Sequence, residues 1–287
     1  MTRIAVLTSG GLDSAVLLAD LAGANTVFPV YIEAGLAWEA REKRALQAYL
    51  AALGLANVQP LTVLEMPVRS FYGRHWSTTG VEVPGYDAPD SAVYLPGRNV
   101  LLIGITAVWC ALNNVSGIAI GSLDDNPFPD ATPAFFEDYG RLLSGALDHP
   151  LQVMAPYRNR HKSQIIAGFA YLPLELTLTC MAPVLNMGDT PIPPVLDMGG
   201  TPKPPLKGRP EAASTPNMGD TPIPPAAMNL GDSPKPPLKG GTGERAGGLN
   251  EVGAGVTLVH CGDCNKCRER REAFRDAGIE DRTRYAR

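Results

Sequence analysis

The chain has 287 residues, 45% hydrophobic and 19% charged, which is enough apolar material for a sizeable core and excludes a wholly disordered protein. A formal net charge of −4 and a pI near 5.6 exclude a global basic field for a nucleic-acid backbone and leave only local patches. The opening apolar run, residues 4–7, is too short for a signal-peptide core, and the longest, residues 100–112, is too short to cross a bilayer; a cytoplasmic protein with no membrane partner is expected.

Residues 4–7 are predicted as a short buried strand, followed by Thr8, the turn Ser9-Gly10-Gly11-Leu12-Asp13-Ser14 and a helix over 13–22. A second strand is predicted over 27–32, then a helix over 38–53 closed by Gly54 and a third strand over 58–64. A loop rich in Gly and Pro, 72–97, leads to a buried helix over 99–111, in which Cys110 reads as a small buried hydrophobe. A fourth strand over 117–121, a helix over 132–147 with a proline one position inside, a short strand over 153–156 and a helix over 161–170 complete the pattern. The alternation predicts an α/β fold within residues 1–182, a doubly wound parallel sheet covered on both faces. Right-handed crossovers then put the active crevice at the strands' C-terminal edge, where the Ser9–Ser14 turn lies.

Composition breaks near Met181. Residues 183–240 hold 15 of the 27 prolines, and Asn186-Met-Gly-Asp-Thr-Pro-Ile-Pro-Pro returns at Asn217. A solenoid is excluded because each unit has few apolar residues and its Pro-Pro pairs forbid helix and interrupt strand ladders. Residues 183–258 are therefore expected to be a disordered, polyproline-leaning insertion, either a passive expanded repeat or a PxxP-like ligand.

The Ser9–Ser14 turn has the chemistry of an anion site. Two glycines let backbone approach a ligand closely, the amides and dipole opening the helix attract negative charge, and Ser9 and Ser14 can donate to phosphate oxygens. Asp13 would repel a bare phosphate, so it is expected to act through Mg²⁺ or to hold the loop. The plain alternative is an ordinary Ser/Gly turn with Asp13 and Ser14 capping a helix. A Walker A loop is ruled out because Gly-Lys-Ser/Thr is missing, and GxGxxG is absent.

The turn resembles the pyrophosphate loop of the PP-loop ATPases, which cleave ATP between the α and β phosphates and adenylate a carbonyl or carboxylate oxygen. Tyr94-Leu-Pro-Gly-Arg-Asn99, Phe128-Pro-Asp130 within residues 121–136, Ala155-Pro156 before Lys162, and His260-Cys-Gly-Asp-Cys-Asn-Lys-Cys-Arg268 are similar, in the same order, to the 7-cyano-7-deazaguanine synthase family. The resemblance implies an adenine-nucleotide α-hydrolase-type fold and an ATP-dependent ligase of queuosine biosynthesis. It also implies ATP as co-substrate, Mg²⁺, ammonia and a deazapurine carboxylate as small-molecule partners. It implies nucleotide contacts by Thr8, Ser9, Gly10, Gly11, Leu12, Asp13, Ser14 and Asn99, and catalytic roles for Asp13, Arg98 and Lys162. For Lys162 the rival is a solvated charge opening a helix, and for Arg98 a structural salt bridge. Two segments depart from the family: Ile32-Glu-Ala-Gly-Leu-Ala-Trp38 replaces Asp-Tyr-Gly-Gln-Arg-His, and Ala131-Thr-Pro133 replaces Cys-Arg-Pro. Both fall where the acid, rather than ATP, is expected. A divergent ligase adenylating another carboxylate is the second hypothesis, and a zinc-knuckle binding module on an inactive ATPase scaffold the third.

Cys261, Cys264 and Cys267 at CxxCxxC spacing supply three thiolates, and Cys180 can supply a fourth. Such a set suits tetrahedral Zn²⁺ in a closed, structural site within residues 259–287, with an iron–sulfur cluster as the chemical rival. His260 is read as a neighbour of the ligands. Lys266, Arg268, Arg270 and Arg271 are read as balancing the thiolate charge or facing solvent, with weak nucleic-acid contact permitted but stable binding not expected. The insertion lengthens the loop between Cys180 and Cys261 by about three doublings, which costs about 2 kcal/mol. Structural zinc sites contribute on the order of 10–16 kcal/mol, so the site is expected to close. Oligomeric state is open, with a homodimer compatible.

Overall fold

The computed structural model describes residues 1–124, 126–187 and 256–287. The repeat tract from 188 to 255, most of the 183–258 range expected to be a disordered insertion, lies outside the described residues, whereas residues 184–187 and 256–258 at its ends are strand. In chain order the elements are β1 (Arg3–Leu7), α1 (Leu12–Ala22), β2 (Thr26–Glu33), α2 (Glu39–Leu53), β3 (Thr62–Glu65), and two single-turn helices, α3 (Arg69–Tyr72) and α4 (Trp76–Thr79). They continue with α5 (Arg98–Asn113), β4 (Gly117–Ala119), α6 (Pro133–Leu147), β5 (Gln152–Met154), α7 (Lys162–Gly168), β6 (Val184–Met187), β7 (Val256–Val259) and α8 (Asn265–Ala277).

Strands β1 to β5 form one parallel sheet in the order β3-β2-β1-β4-β5. β1 is central, with Ile4 opposite Val27 on one side and Gly117 on the other. Its side chains alternate between the two faces, as a strand's period of two requires. Ile4 and Val6 join a core built with α1, α7 and Phe274 of α8. Ala5 and Leu7 join a second core built with α5 and α6. Burial on both faces explains the continuous apolar run of β1. Because successive crossovers leave β1 in opposite directions, its C-terminal end opens into a crevice between β2 and β4.

Local chemistry fixes the helix ends. Gly54 closes α2 at φ +54°, the left-handed conformation that glycine adopts without Cβ strain. Thr132 accepts a hydrogen bond from the Phe135 amide while Pro133 occupies the first turn of α6.

Three sequence expectations need correction. The third strand starts later than residue 58: Val58 makes an isolated bridge to Val27, and regular pairing begins at Thr62. Pro60 lies between and has no N–H for the ladder. The 72–97 loop contains α4 and a 3₁₀ turn at Asp90–Val93, units too short to show a hydrophobic period. Helix α5 is not buried all round; Ile103, Ala107 and Cys110 face the core, whereas Val108 and Leu112 are exposed.

After the 3₁₀ turn Leu174–Leu176, β6 and β7 pair antiparallel, with Met187 directly opposite Val256. Helix α8 then packs on α7, which docks the C-terminal segment onto the α/β body. No described helix is long and apolar enough to cross a membrane.

Candidate active site

Gly10 has φ +75°, and a Cβ there would lie 2.8 Å from the Glu42 carbonyl oxygen of α2. Only glycine allows both the left-handed backbone and that approach. Gly11 is the N-cap of α1 and contributes no side-chain cap. The hydroxyls hold the turn from inside. Ser14 Oγ donates to the Gly11 carbonyl at 3.1 Å and accepts from the Ser9 amide at 3.2 Å, and Ser9 Oγ accepts from the Gly11 amide at 3.3 Å. On the far side, a Cβ at Gly121 would come within 3.1 Å of the Ser14 nitrogen, so a side chain there would push the segment after β4 off the start of α1.

A cavity of about 330 Å³ opens over this turn, near the lower end of the range for small-molecule sites. Thr8, Ser9, Gly11, Asp13 and Ser14 line it, with Arg98, Asn99 and Lys162. Gly10 and Leu12 do not line it. Leu12 is wholly buried in the core under α1, and Gly10 is turned against α2.

Lys162 opens α7 and is nearly buried. Its Nζ lies 3.1 Å from Asp13 Oδ2 and also pairs with Glu269 of α8, whose second oxygen pairs with Lys266. These contacts replace the solvated-charge alternative for Lys162. Burial, which would lower the Lys162 pKa, is outweighed by the two carboxylates, so it is raised. Burial pushes the Glu269 carboxyl up, but Lys162 and Lys266 bring it down to about 2. For Asp13, burial prevails over Lys162 and the pKa is raised. Asp13 Oδ1 is buried without a hydrogen-bond partner among the described residues, an oxygen free for a hard cation such as Mg²⁺.

Asn99 is less available than its motif implies. Its Nδ2 donates to the Asp130 carbonyl at 2.9 Å, and its backbone amide donates to Asp130 Oδ2 at 2.9 Å. Asn99 therefore ties α5 to the Phe128-Pro-Asp130 segment. Arg158 ties the same segment from below, donating to the carbonyls of Leu123 at 2.7 Å and Ala131 at 3.1 Å.

The outer wall is apolar: Leu36, Trp38, Met66, Val68 and Trp76 line it, with the indoles of Trp38 and Trp76 stacked at 5.7 Å between centroids. Leu36 and Trp38 belong to the 32–38 segment. Glu42 faces the same cavity and accepts from the Tyr31 hydroxyl at 2.9 Å. Burial raises its carboxyl to about 7 against the attraction of Arg98 and the Tyr31 hydrogen bond.

The sulfurs of Cys180, Cys261, Cys264 and Cys267 all lie within 4.8 Å of one another. Measured pairs are 3.5 Å for Cys264–Cys267, 3.8 Å for Cys261–Cys267 and 4.0 Å for Cys180–Cys264. A tetrahedral Zn²⁺ with bonds of about 2.3 Å requires sulfur–sulfur edges of about 3.8 Å, so the set fits such an ion with no open position. The Cys261 amide donates to Cys180 Sγ at 3.2 Å, an outer hydrogen bond of the kind that orients metal ligands. His260 stands outside the four-sulfur set, its Nε2 3.3 Å from the Thr179 amide. Cys110 is buried in α5, apart from the cluster.

The sequence reading of the basic residues needs one correction. Arg270 does not face solvent. Fully buried, it donates to Thr283 Oγ1, Thr177 Oγ1 and the Leu174 carbonyl, each at 2.8 Å. Arg271 stacks on the Tyr285 ring at 4.0 Å. Glu269, Glu42 and Arg158 were missed. Only Glu269 left a local trace, three residues after Lys266 on one helix face.

The family model described as "Queuosine biosynthesis protein QueC" matches residues 3–187. The 7-cyano-7-deazaguanine synthase of Koribacter versatilis is 29% identical over 194 residues, covering 62% of this chain and 79% of that one. The enzyme of that name from Picrophilus torridus is 29% identical over 196 residues, covering 63% and 79%. The 7-cyano-7-deazaguanine synthase 1 of Sphingopyxis alaskensis aligns over 99% of this chain and 98% of its own length at 25% identity.

Proposed function

The chain belongs to the QueC family of queuosine biosynthesis proteins, and from that premise we propose that it is an ATP-dependent carbon–nitrogen ligase converting 7-carboxy-7-deazaguanine and ammonia to 7-cyano-7-deazaguanine. The observation that carries this reading is the convergence, in one cavity, of the Ser9–Ser14 turn, the Asp13–Lys162 pair and Arg98.

A carboxylate resists attack by ammonia because oxide would have to leave. Attack of its oxygen on the α-phosphorus of ATP releases pyrophosphate and leaves an acyl adenylate; ammonia then displaces AMP to give the amide. A second ATP adenylates the amide oxygen. That adenylation releases a second pyrophosphate; the nitrogen then gives up both its protons, and a single AMP leaves with the former amide oxygen to give the nitrile. The protein's share is positioning and charge neutralisation. In this reading the turn's amides and the α1 dipole hold the leaving pyrophosphate. Lys162 meets charge growing between the α and β phosphates, and Arg98 faces the acid or its adenylate. Asp13 Oδ1 would take Mg²⁺, which supplies further neutralisation of the pyrophosphate. Zn²⁺ on the four cysteines would be structural, holding α8 against the site.

The aromatic wall formed by Trp38 and Trp76 favours one second reading, a ligase of the same mechanism acting on a different carboxylate. Incubating purified protein with ATP, ammonia and 7-carboxy-7-deazaguanine separates the two. Nitrile with AMP and pyrophosphate is the expected result. AMP formation only with another acid would establish the second reading, and absence of ATP cleavage with every acid would refute both.

A further inference from the structure

Helix α8 has two working faces. At 3.6 residues per turn, Cys264 and Cys267 fall on one side and Lys266 and Glu269 on the other, with Arg270 between the two. The cysteine face joins the four-sulfur cluster. Between those faces Arg270 is locked by its three hydrogen bonds to Thr177, Leu174 and Thr283, which fixes the helix against rotation. Glu269, one residue away, reaches into the catalytic cavity and meets Lys162, while Lys266 holds its other oxygen.

Lys162 ends in a flexible stem, and an ammonium on such a stem needs at least two fixed partners to stay at one point. One is Asp13, 3.1 Å away. Glu269 is the other, and it arrives from a helix that begins at the metal knuckle, 107 residues further along the chain. We propose that Glu269 is a positioning residue: it holds the Lys162 ammonium beside Asp13 at the phosphate turn, so the ligase site is complete only when the cysteine knuckle is docked. This rests on the reading of Lys162 as a phosphate contact. A carboxylate that merely clamped α7 to α8 would contribute to stability and leave the chemical step to Lys162 alone.

A double-mutant cycle on the full-length, metal-loaded protein distinguishes the two roles. AMP formation is measured for wild type, Glu269→Gln, Lys162→Gln and the double variant, with metal content and thermal midpoint followed for each. Glu269→Gln is expected to lower kcat roughly 10²-fold, as a misplacement of about 1 Å does, with a smaller change in the KM for ATP. In the Lys162→Gln background the same substitution should change kcat less than about twofold, because the ammonium it positions is gone. Glu269→Asp keeps the charge on α8 but withdraws the carboxylate by one methylene; an intermediate kcat with full metal content is expected, and this variant decides the matter if Glu269→Gln loses metal. Wild-type kcat in either variant, or an equal loss in both backgrounds, would overturn the proposal while leaving the ligase reading intact. A wild-type protein that forms no AMP with any acid would overturn both.

Discussion

Glu42 is 8% exposed, carries a carboxyl raised from 4.5 to about 7 chiefly by burial, and keeps Tyr31 as a hydrogen-bond donor at 2.9 Å. Between those two values the folded protein retains a proton that the unfolded chain has released. Stability therefore falls as pH rises from about 4.5 to about 7, and the deficit is constant above that window. A shift of this size is worth about 3 kcal/mol. Glu42→Gln keeps the shape and an acceptor for Tyr31 but cannot ionise, so at pH 8 it should be more stable than wild type by about 2–3 kcal/mol. At pH 4.5, where wild-type Glu42 is protonated in the folded state, the difference should shrink to within about 0.5 kcal/mol. Urea unfolding at the two pH values measures this directly, provided that the m-value is unchanged. No gain at pH 8, or a gain equally large at pH 4.5, would refute the claim that a buried charge is being carried at this position.

Asp13→Asn removes the charge at the free Oδ1 while leaving Lys162 paired with Glu269; AMP formation should fall at least about 10²-fold with an unchanged circular dichroism spectrum, and unchanged turnover would show that the site is wrongly placed. Metal analysis in reducing buffer should find close to one Zn²⁺ per chain. Stripping the metal with a chelator should release α8 and abolish activity, whereas a metal content below about 0.5 equivalents in active protein would count against the four-sulfur site. Replacing residues 188–255 by Asn-Gly should close a hairpin between Met187 and Val256, which are direct antiparallel partners. Metal content and kcat are expected to stay within about twofold of the parent, and loss of metal would show that the ribbon alone cannot bring Cys180 to Cys261.

The parts of this molecule legible from sequence are those whose chemistry is local. The Ser9–Ser14 turn stands between an apolar strand and a largely buried helix, and Gly10 meets a backbone demand that other residues cannot. The cysteine spacing likewise encodes a ligand geometry within seven residues, and Cys180 was available from the sequence as the fourth sulfur. The α5 pattern was more ambiguous. A continuous apolar run does not reveal that Val108 and Leu112 face outward, because periodicity needs polar residues to mark the open side. Glu269 and Glu42 were hidden for a different reason. Each owes its role to burial and to charges on elements distant in sequence, and neither condition is written in the residues beside it.

The register of β6 and β7 also bears on how such a chain can change over time. Met187 faces Val256, so the two described ends of the repeat tract meet at one doorway. Tandem duplication or loss of a proline-rich unit beyond that doorway alters the numerical distance from Cys180 to Cys261 without altering the span between their sulfurs. The chain can thus drift in length at this point while the four cysteines, the Ser9–Ser14 turn and Lys162 keep their places.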